Sequence, residues 1–235
     1  MNLIQRIHGN TQPDPHSHGN ETHSHNPPFW VRHYDTIVNV ITLGKIKSTH
    51  QQTAVLANLQ PGQAVLDIGC GTGALLMEVE KIIGAQGTAV GLDIEPAMIE
   101  QARRRAAKNH SHATFDVASI DNIPYPDNTF DAAIQSLVFH HLTDTQKEAG
   151  LLELKRVLKP NGRLLIVDLN PTRRGLATSL PGHNQLDQVD HVRSEVVERM
   201  AVAGFKNIQS DTHPNKQLSY AMGKCVDNDA LLTIH

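Results

Sequence analysis

The 235-residue sequence predicts an α/β fold, a parallel sheet with helices on both faces. Three observations predict it. Short apolar runs of strand length alternate with segments of helical periodicity through most of the chain. Val65-Leu66-Asp67-Ile68 leads straight into Gly69-Cys70-Gly71-Thr72-Gly73, and an apolar helical pattern starts at Ala74. That reads as a strand, a tight turn and a helix start. Finally, three successive strand segments end at or near an acid, at Asp67, Asp93 and Asp116. The carboxyl ends of parallel strands are where open α/β sheets bind ligands.

In chain order, residues 1–27 form a polar tail rich in His, Pro, Asn, Gly and Ser, and no ordered core is expected there. Its His-x-His pairs, His16/His18 and His23/His25, are a possible weak divalent-metal site. No metal site is expected in the core. Residues 28–60 read as N-terminal helices: Trp30, Tyr34, Ile37, Val38 and Ile41 keep helical spacing, Gly44 ends the first helix, and a second runs over 45–57. Residues 61–235 form the main domain, entered through the turn Pro61-Gly62. Strands are expected at 64–68, 88–93, 113–117, 131–136 and 163–169, and helices at 73–83, 96–108, 145–158 and 190–203. Two final strands follow at 206–211 and 217–226.

Composition narrows the function. The formal net charge is −3, and hydrophobic residues make up 39% of the chain. No basic excess points to nucleic acid, and no apolar run reaches the roughly 18 residues of a membrane span. Met1 to Arg6 lacks a signal-peptide core, and two cysteines, Cys70 and Cys225, fit a reducing, cytoplasmic compartment. Nothing in the sequence discriminates a monomer from a homodimer.

The glycine loop carries the chemistry. Dinucleotide phosphates are held by Gly-x-Gly-x-x-Gly. Here the spacing is Gly-x-Gly-x-Gly, with Asp67 at the end of the strand. A carboxylate there is a poor host for a pyrophosphate and suits a ligand with a positive group such as an ammonium. With Ala89-Val-Gly-Leu-Asp93, Ala113-Thr-Phe-Asp116-Val117, Ile123-Pro-Tyr-Pro-Asp-Asn-Thr-Phe-Asp131 and Leu158-Lys-Pro-Asn-Gly-Arg163 following in order, residues 45–226 resemble the class I S-adenosylmethionine-dependent methyltransferases. The nearest group is the methyltransferase type 11, quinone C-methyltransferase-like enzymes. The resemblance implies a Rossmann-like doubly wound sheet of seven strands in the order 3-2-1-4-5-7-6, the last antiparallel.

It also implies S-adenosyl-L-methionine as cofactor, S-adenosyl-L-homocysteine as product and a small-molecule methyl acceptor. By the same resemblance Gly69, Gly71 and Gly73 wrap the amino-acid end, and Asp67 orients the loop or the ammonium. Asp93 takes the ribose hydroxyls, Ile94 and Met98 pack on the adenine, and Asp116 and Val117 bind its edge. Gln135 or Ser136 faces the methionine portion. His140, His141 and Tyr34 are the candidates for moving a proton or closing over the methyl group, and Asp168 is a candidate substrate contact. Phe139-His-His-Leu142 stands where quinone enzymes carry their characteristic segment, which argues against a ubiquinone or menaquinone acceptor. Substrate choice is expected in 28–50 and in 170–190, with Arg173 and Arg174 able to meet an anionic group. A second reading keeps the fold as a catalytically inactive cofactor-binding protein, metal-responsive through its tail.

Overall fold

The structure, a computed structural model, describes residues 29–41, 43–170 and 191–226. The tail with His16, His18, His23 and His25, and the pair Arg173 and Arg174, lie outside the described residues. Strands β1 (Ala64–Ile68), β2 (Thr88–Asp93), β3 (Thr114–Val117), β4 (Phe130–Ser136), β5 (Leu158–Leu169), β6 (Phe205–Thr212) and β7 (Leu218–Cys225) form one sheet. Their order is β3-β2-β1-β4-β5-β7-β6, as the resemblance implies. The first five run parallel, and β7 lies antiparallel between β5 and β6.

The helices are α1 (Phe29–Ile41), α2 (Ile46–Leu56), α3 (Ala74–Ile83), α4 (Pro96–Lys108), α5 (Asp144–Val157) and α6 (His191–Val202). The two-residue period of the strands sorts their apolar residues into two layers. Val65, Ala132, Ile134, Leu165 and Val167 pack with Ala54, Leu76, Val79 and Ala102 of α2, α3 and α4. Leu66, Ile68, Ala133, Leu164 and Ile166 pack with Leu151, Leu154, Val196 and Met200 of α5 and α6. Local signals agree with the packing. Glu95 caps α4 by accepting from the Ala97 N–H, with Pro96 at the first helical position. Thr143 and Gln146 form a reciprocal capping box at α5. Among the described residues no helix is long and apolar enough to cross a membrane.

One boundary departs from expectation. The segment 158–163 reads in the sequence as a turn before the fifth strand, yet β5 starts at Leu158, which pairs with Phe130. The turn survives as an irregularity inside the ladder: Asn161 takes φ +64°, and the register jumps so that Ala132 meets Arg163. Leu158 is fully buried and Lys159 bonds both oxygens of Asp131, so side chains hold the backbone in the sheet across the turn.

A buried polar chain ties α2 to the β6–β7 connection. His213 Nδ1 accepts the Asn215 N–H at 2.9 Å, which leaves the ring hydrogen on Nε2 to donate to Thr53 Oγ1 at 3.2 Å. Asn215 Nδ2 donates to Thr49 Oγ1 at 2.9 Å. Burial pushes the His213 pKa down from 6.5 to about 4. A depressed base stabilises the fold while neutral. Its contribution is therefore complete above pH 6.5 and is lost as pH falls toward about 4. The loss is on the order of 3 kcal/mol. Denaturant unfolding of wild type and His213→Gln across this range checks it: the wild type should lose more stability in acid, and parallel curves would contradict the assignment.

Candidate functional site

A cleft of about 390 Å³ opens at the carboxyl ends of the central strands. Gly69 and Gly71 line it from the loop after β1, Asp93, Ile94 and Met98 from the end of β2 and the start of α4, and Ser119 and Ile120 from beyond β3. Leu137, Val138 and His141 close it from beyond β4, and Tyr34 from α1. Beside it lies a recess of about 30 Å³ lined by Asp67, Cys70, Thr72 and Ser136, with Ile46 and His50 of α2. Tyr34, Gly69 and Leu137 belong to both walls.

The loop is shaped by what its glycines lack. Gly69 and Gly71 sit at φ +70° and +51°. A Cβ on Gly69 would stand 2.3 Å from Val138 Cγ2, and one on Gly71 would stand 3.1 Å from the Tyr34 ring. Backbone donors fix the turn: Gly69 and Cys70 donate to the Leu92 carbonyl, and Gly71 donates to Asp93 Oδ2 at 2.8 Å. Asp93 Oδ1 accepts the Glu95 N–H at 2.9 Å, so one carboxylate organises both the glycine loop and the entry to α4. Gly73 does different work. At φ +74° it starts α3, and a Cβ there would meet Phe115 at 2.8 Å and Ala102 at 3.1 Å, so it permits close packing of α3, α4 and β3.

Two carboxyls dominate the electrostatics. Asp67 is 2% exposed, and its carboxyl has no hydrogen-bond partner among the described residues. Burial, and then the charge of Asp93, push its pKa up to about 8. Both effects favour the neutral form of Asp67 in the free protein. Burial also raises Asp93, against the two backbone N–H groups that hold its charged form. Burial and both acids push the Cys70 thiol up, which disfavours its thiolate.

The structure brings Asp67, Gly69, Gly71, Asp93, Ile94, Met98, Ser136, Tyr34 and His141 to the cleft and its recess. It does not bring Asp116, Val117, Gln135, Gly73 or His140 there. The register pairs Asp93 with Val117, so the chain crosses the cleft only at Ala118–Ile120. Asp116 is turned elsewhere: Tyr125 O–H donates to its Oδ2 at 3.0 Å, and Arg103 stands 3.6 Å from its Oδ1. Gln135 shares the sheet face of Ile68 and Ile166 and is fully buried, both amide atoms without a partner among the described residues.

His140 belongs to the 3₁₀ turn Phe139–His141 and faces Asp168. Its Nδ1 lies 2.6 Å from Asp168 Oδ1, and its backbone N–H donates to Oδ2 at 3.0 Å. A carboxylate only accepts, so Nδ1 carries the hydrogen. Asp168, which also accepts the Leu169 N–H, is thereby consumed in bracing the turn that sets His141 on the cleft. Sequence reasoning missed Ser119 and His50. Ser119 has no local signal beyond lying just past a strand end, and His50 reaches the site only through the packing of α2.

The comparisons with known proteins agree with the fold. A family profile described as "Methyltransferase domain" matches residues 59–221. A 2-phytyl-1,4-naphthoquinone methyltransferase of Trichormus variabilis is 30% identical over 139 residues, 58% of this chain and 60% of that protein. A ubiquinone/menaquinone biosynthesis C-methyltransferase of Teredinibacter turnerae is 32% identical over 145 residues, 61% of this chain and 57% of its own length. The chain thus spans little more than half the length of these relatives. Among solved structures, a SAM-dependent methyltransferase from Aquifex aeolicus superposes with a TM-score of 0.67 at 23% identity, covering 85% of this chain and 99% of that one.

Proposed function

Since this chain belongs to the methyltransferase-domain family and has the class I sheet, we propose that it binds S-adenosylmethionine in the cleft. We propose further that it transfers the methyl group to a small-molecule acceptor, leaving S-adenosylhomocysteine. The observation that carries the reading is Asp67: a buried, unpartnered carboxyl at the floor of a glycine loop, where a ligand ammonium would turn a desolvated acid into a satisfied ion pair. The other residues fit the same ligand. Gly69 and Gly71 let a chain approach the backbone closely. Each Asp93 oxygen accepts one backbone N–H and keeps a lone pair for a ribose hydroxyl. Ile94, 66% exposed, and Met98 offer apolar surface to a purine, and Ser119 offers a hydroxyl at its edge in place of Asp116.

When bound, S-adenosylmethionine supplies a methyl group already activated on a sulfonium sulfur. The chain's own task is to align the acceptor and keep water out. Tyr34, lying over Gly71, closes the site, and α1 and α2 of residues 28–60 cover it. His141 is the group that meets the acceptor and takes its proton where the acceptor carries one. His140 is a positioning residue held by Asp168. The relatives' names favour a quinone-type aromatic acceptor, although Phe139-His-His-Leu142 departs from the segment expected of such enzymes.

Two outcomes test this reading. Binding of S-adenosylmethionine at about pH 7 should release about one proton as the ammonium draws Asp67 into its charged form. Calorimetry in buffers of different ionisation enthalpy measures it. Asp67→Asn should abolish the release, and equal release in the variant would contradict the role. For turnover, His141→Ala should lower kcat about 10²-fold or more while cofactor affinity stays within about threefold. Unchanged kcat with a quinol acceptor would remove His141 from the chemistry.

A further inference from the structure

We infer that His50 recognises the carboxylate of the amino-acid end of the bound cofactor, and that the β6–β7 connection holds α2 so that it does; this rests on the function proposed above. An amino-acid end is a zwitterion and needs both an acid and a donor. The recess meets that need. Its volume admits about two water-sized groups, enough for an ammonium and part of a carboxylate, and it is bounded by Asp67 on β1 and His50 on α2.

Three further features favour an anion in the recess. Thr72, Ala74 and Leu75 line the recess at the start of α3, where the helix presents N–H groups and its positive dipole end. Gly73, at the N-cap, makes no side-chain capping bond to those groups. Arg105 Nη1 donates to Thr72 Oγ1 at 2.8 Å, which brings a permanent cation to the same helix start and directs the Thr72 hydroxyl hydrogen elsewhere. The same recess holds Asp67, 2% exposed and without a hydrogen bond among the described residues.

The placement of His50 is built, not incidental. Ile46 and His50, one helical turn apart, present one face of α2 to the recess. The residues that bracket His50 are buried and tied to the far end of the sheet. Thr49 Oγ1 accepts from Asn215 and donates to the Lys45 carbonyl, and Thr53 Oγ1 accepts from His213. These bonds fix the rotation of α2 about its axis, and with it the direction of the His50 side chain.

Calorimetric titration of the full chain with S-adenosylhomocysteine, and with its decarboxylated analogue, tests the inference. The analogue keeps the ammonium and lacks only the carboxylate. His50→Ala should weaken S-adenosylhomocysteine about 10- to 30-fold, the worth of one charge-assisted hydrogen bond, and leave the analogue within about twofold. His50→Arg, which supplies N–H donors and a positive charge, should restore the preference for the carboxylate-bearing ligand. Equal weakening of both ligands would make His50 a packing residue and overturn the inference, as would no weakening of either. If the wild type binds neither ligand, the proposed function itself fails. Thr53→Val should reproduce part of the selective loss, because it frees α2 without touching the recess.

Discussion

Replacing Asp93 by alanine is expected to weaken S-adenosylhomocysteine binding about 10²- to 10³-fold. The carboxylate makes two charge-assisted bonds inside the protein, to Gly71 and Glu95, and is proposed to make two more to the ribose. Each hydrogen bond to a charged group is worth about 1.5–3 kcal/mol, and about 1.4 kcal/mol is a factor of ten. Losing the ribose pair alone therefore accounts for most of the effect, and relaxation of the glycine loop adds to it. Asp93→Asn keeps a carbonyl acceptor and should fall between the two, near tenfold to thirtyfold. Thermal unfolding of each variant separates the two contributions. A variant that loses affinity by less than about threefold would remove Asp93 from the ligand site and leave it only its backbone role.

Gly69→Ala is expected to be the most damaging single change in the loop. Its φ of +70° is unfavourable for any residue with a Cβ, at about 1–2 kcal/mol. The new Cβ would also overlap Val138 Cγ2, so the wall of the cleft must move. Together these should cost about 2–4 kcal/mol of stability and abolish measurable cofactor binding. The double variant Gly69→Ala/Val138→Ala relieves the overlap and leaves the dihedral strain. It should recover about half of the lost stability, and the coupling measures the contact directly. If the double variant is no more stable than the sum of the two singles, the loop does not press on Val138 as described.

The legible parts of the fold are those written in local signals. The α4 boundaries at Pro96 and Lys108 follow the expectation residue for residue, because Glu95, Pro96 and the last basic turn mark them in the chain itself. The β5 start does not, since Leu158 joins the sheet through burial against residues remote in sequence. The site divides in the same way. The glycine loop and Asp93 lie at strand ends that sequence pattern identifies, and the structure brings them together. Asp116 lies at the expected strand end, and strand register brings Ala118–Ile120 to the cleft wall beyond it. His140 and His141 are adjacent in sequence with ring centroids 3.8 Å apart, yet only His141 lines the cleft, because the 3₁₀ turn leaves His140 on Asp168. His50 is set by a helix pinned from residue 213 and beyond, a distance of some 160 residues that no local pattern encodes.

The most direct test of the central claim is calorimetric titration of the full chain with S-adenosylmethionine at neutral pH. One site per chain is expected, with micromolar affinity, competed by S-adenosylhomocysteine and lost in Asp93→Ala. No heat and no competition, in a protein that unfolds cooperatively, would contradict it and leave the fold without its ligand.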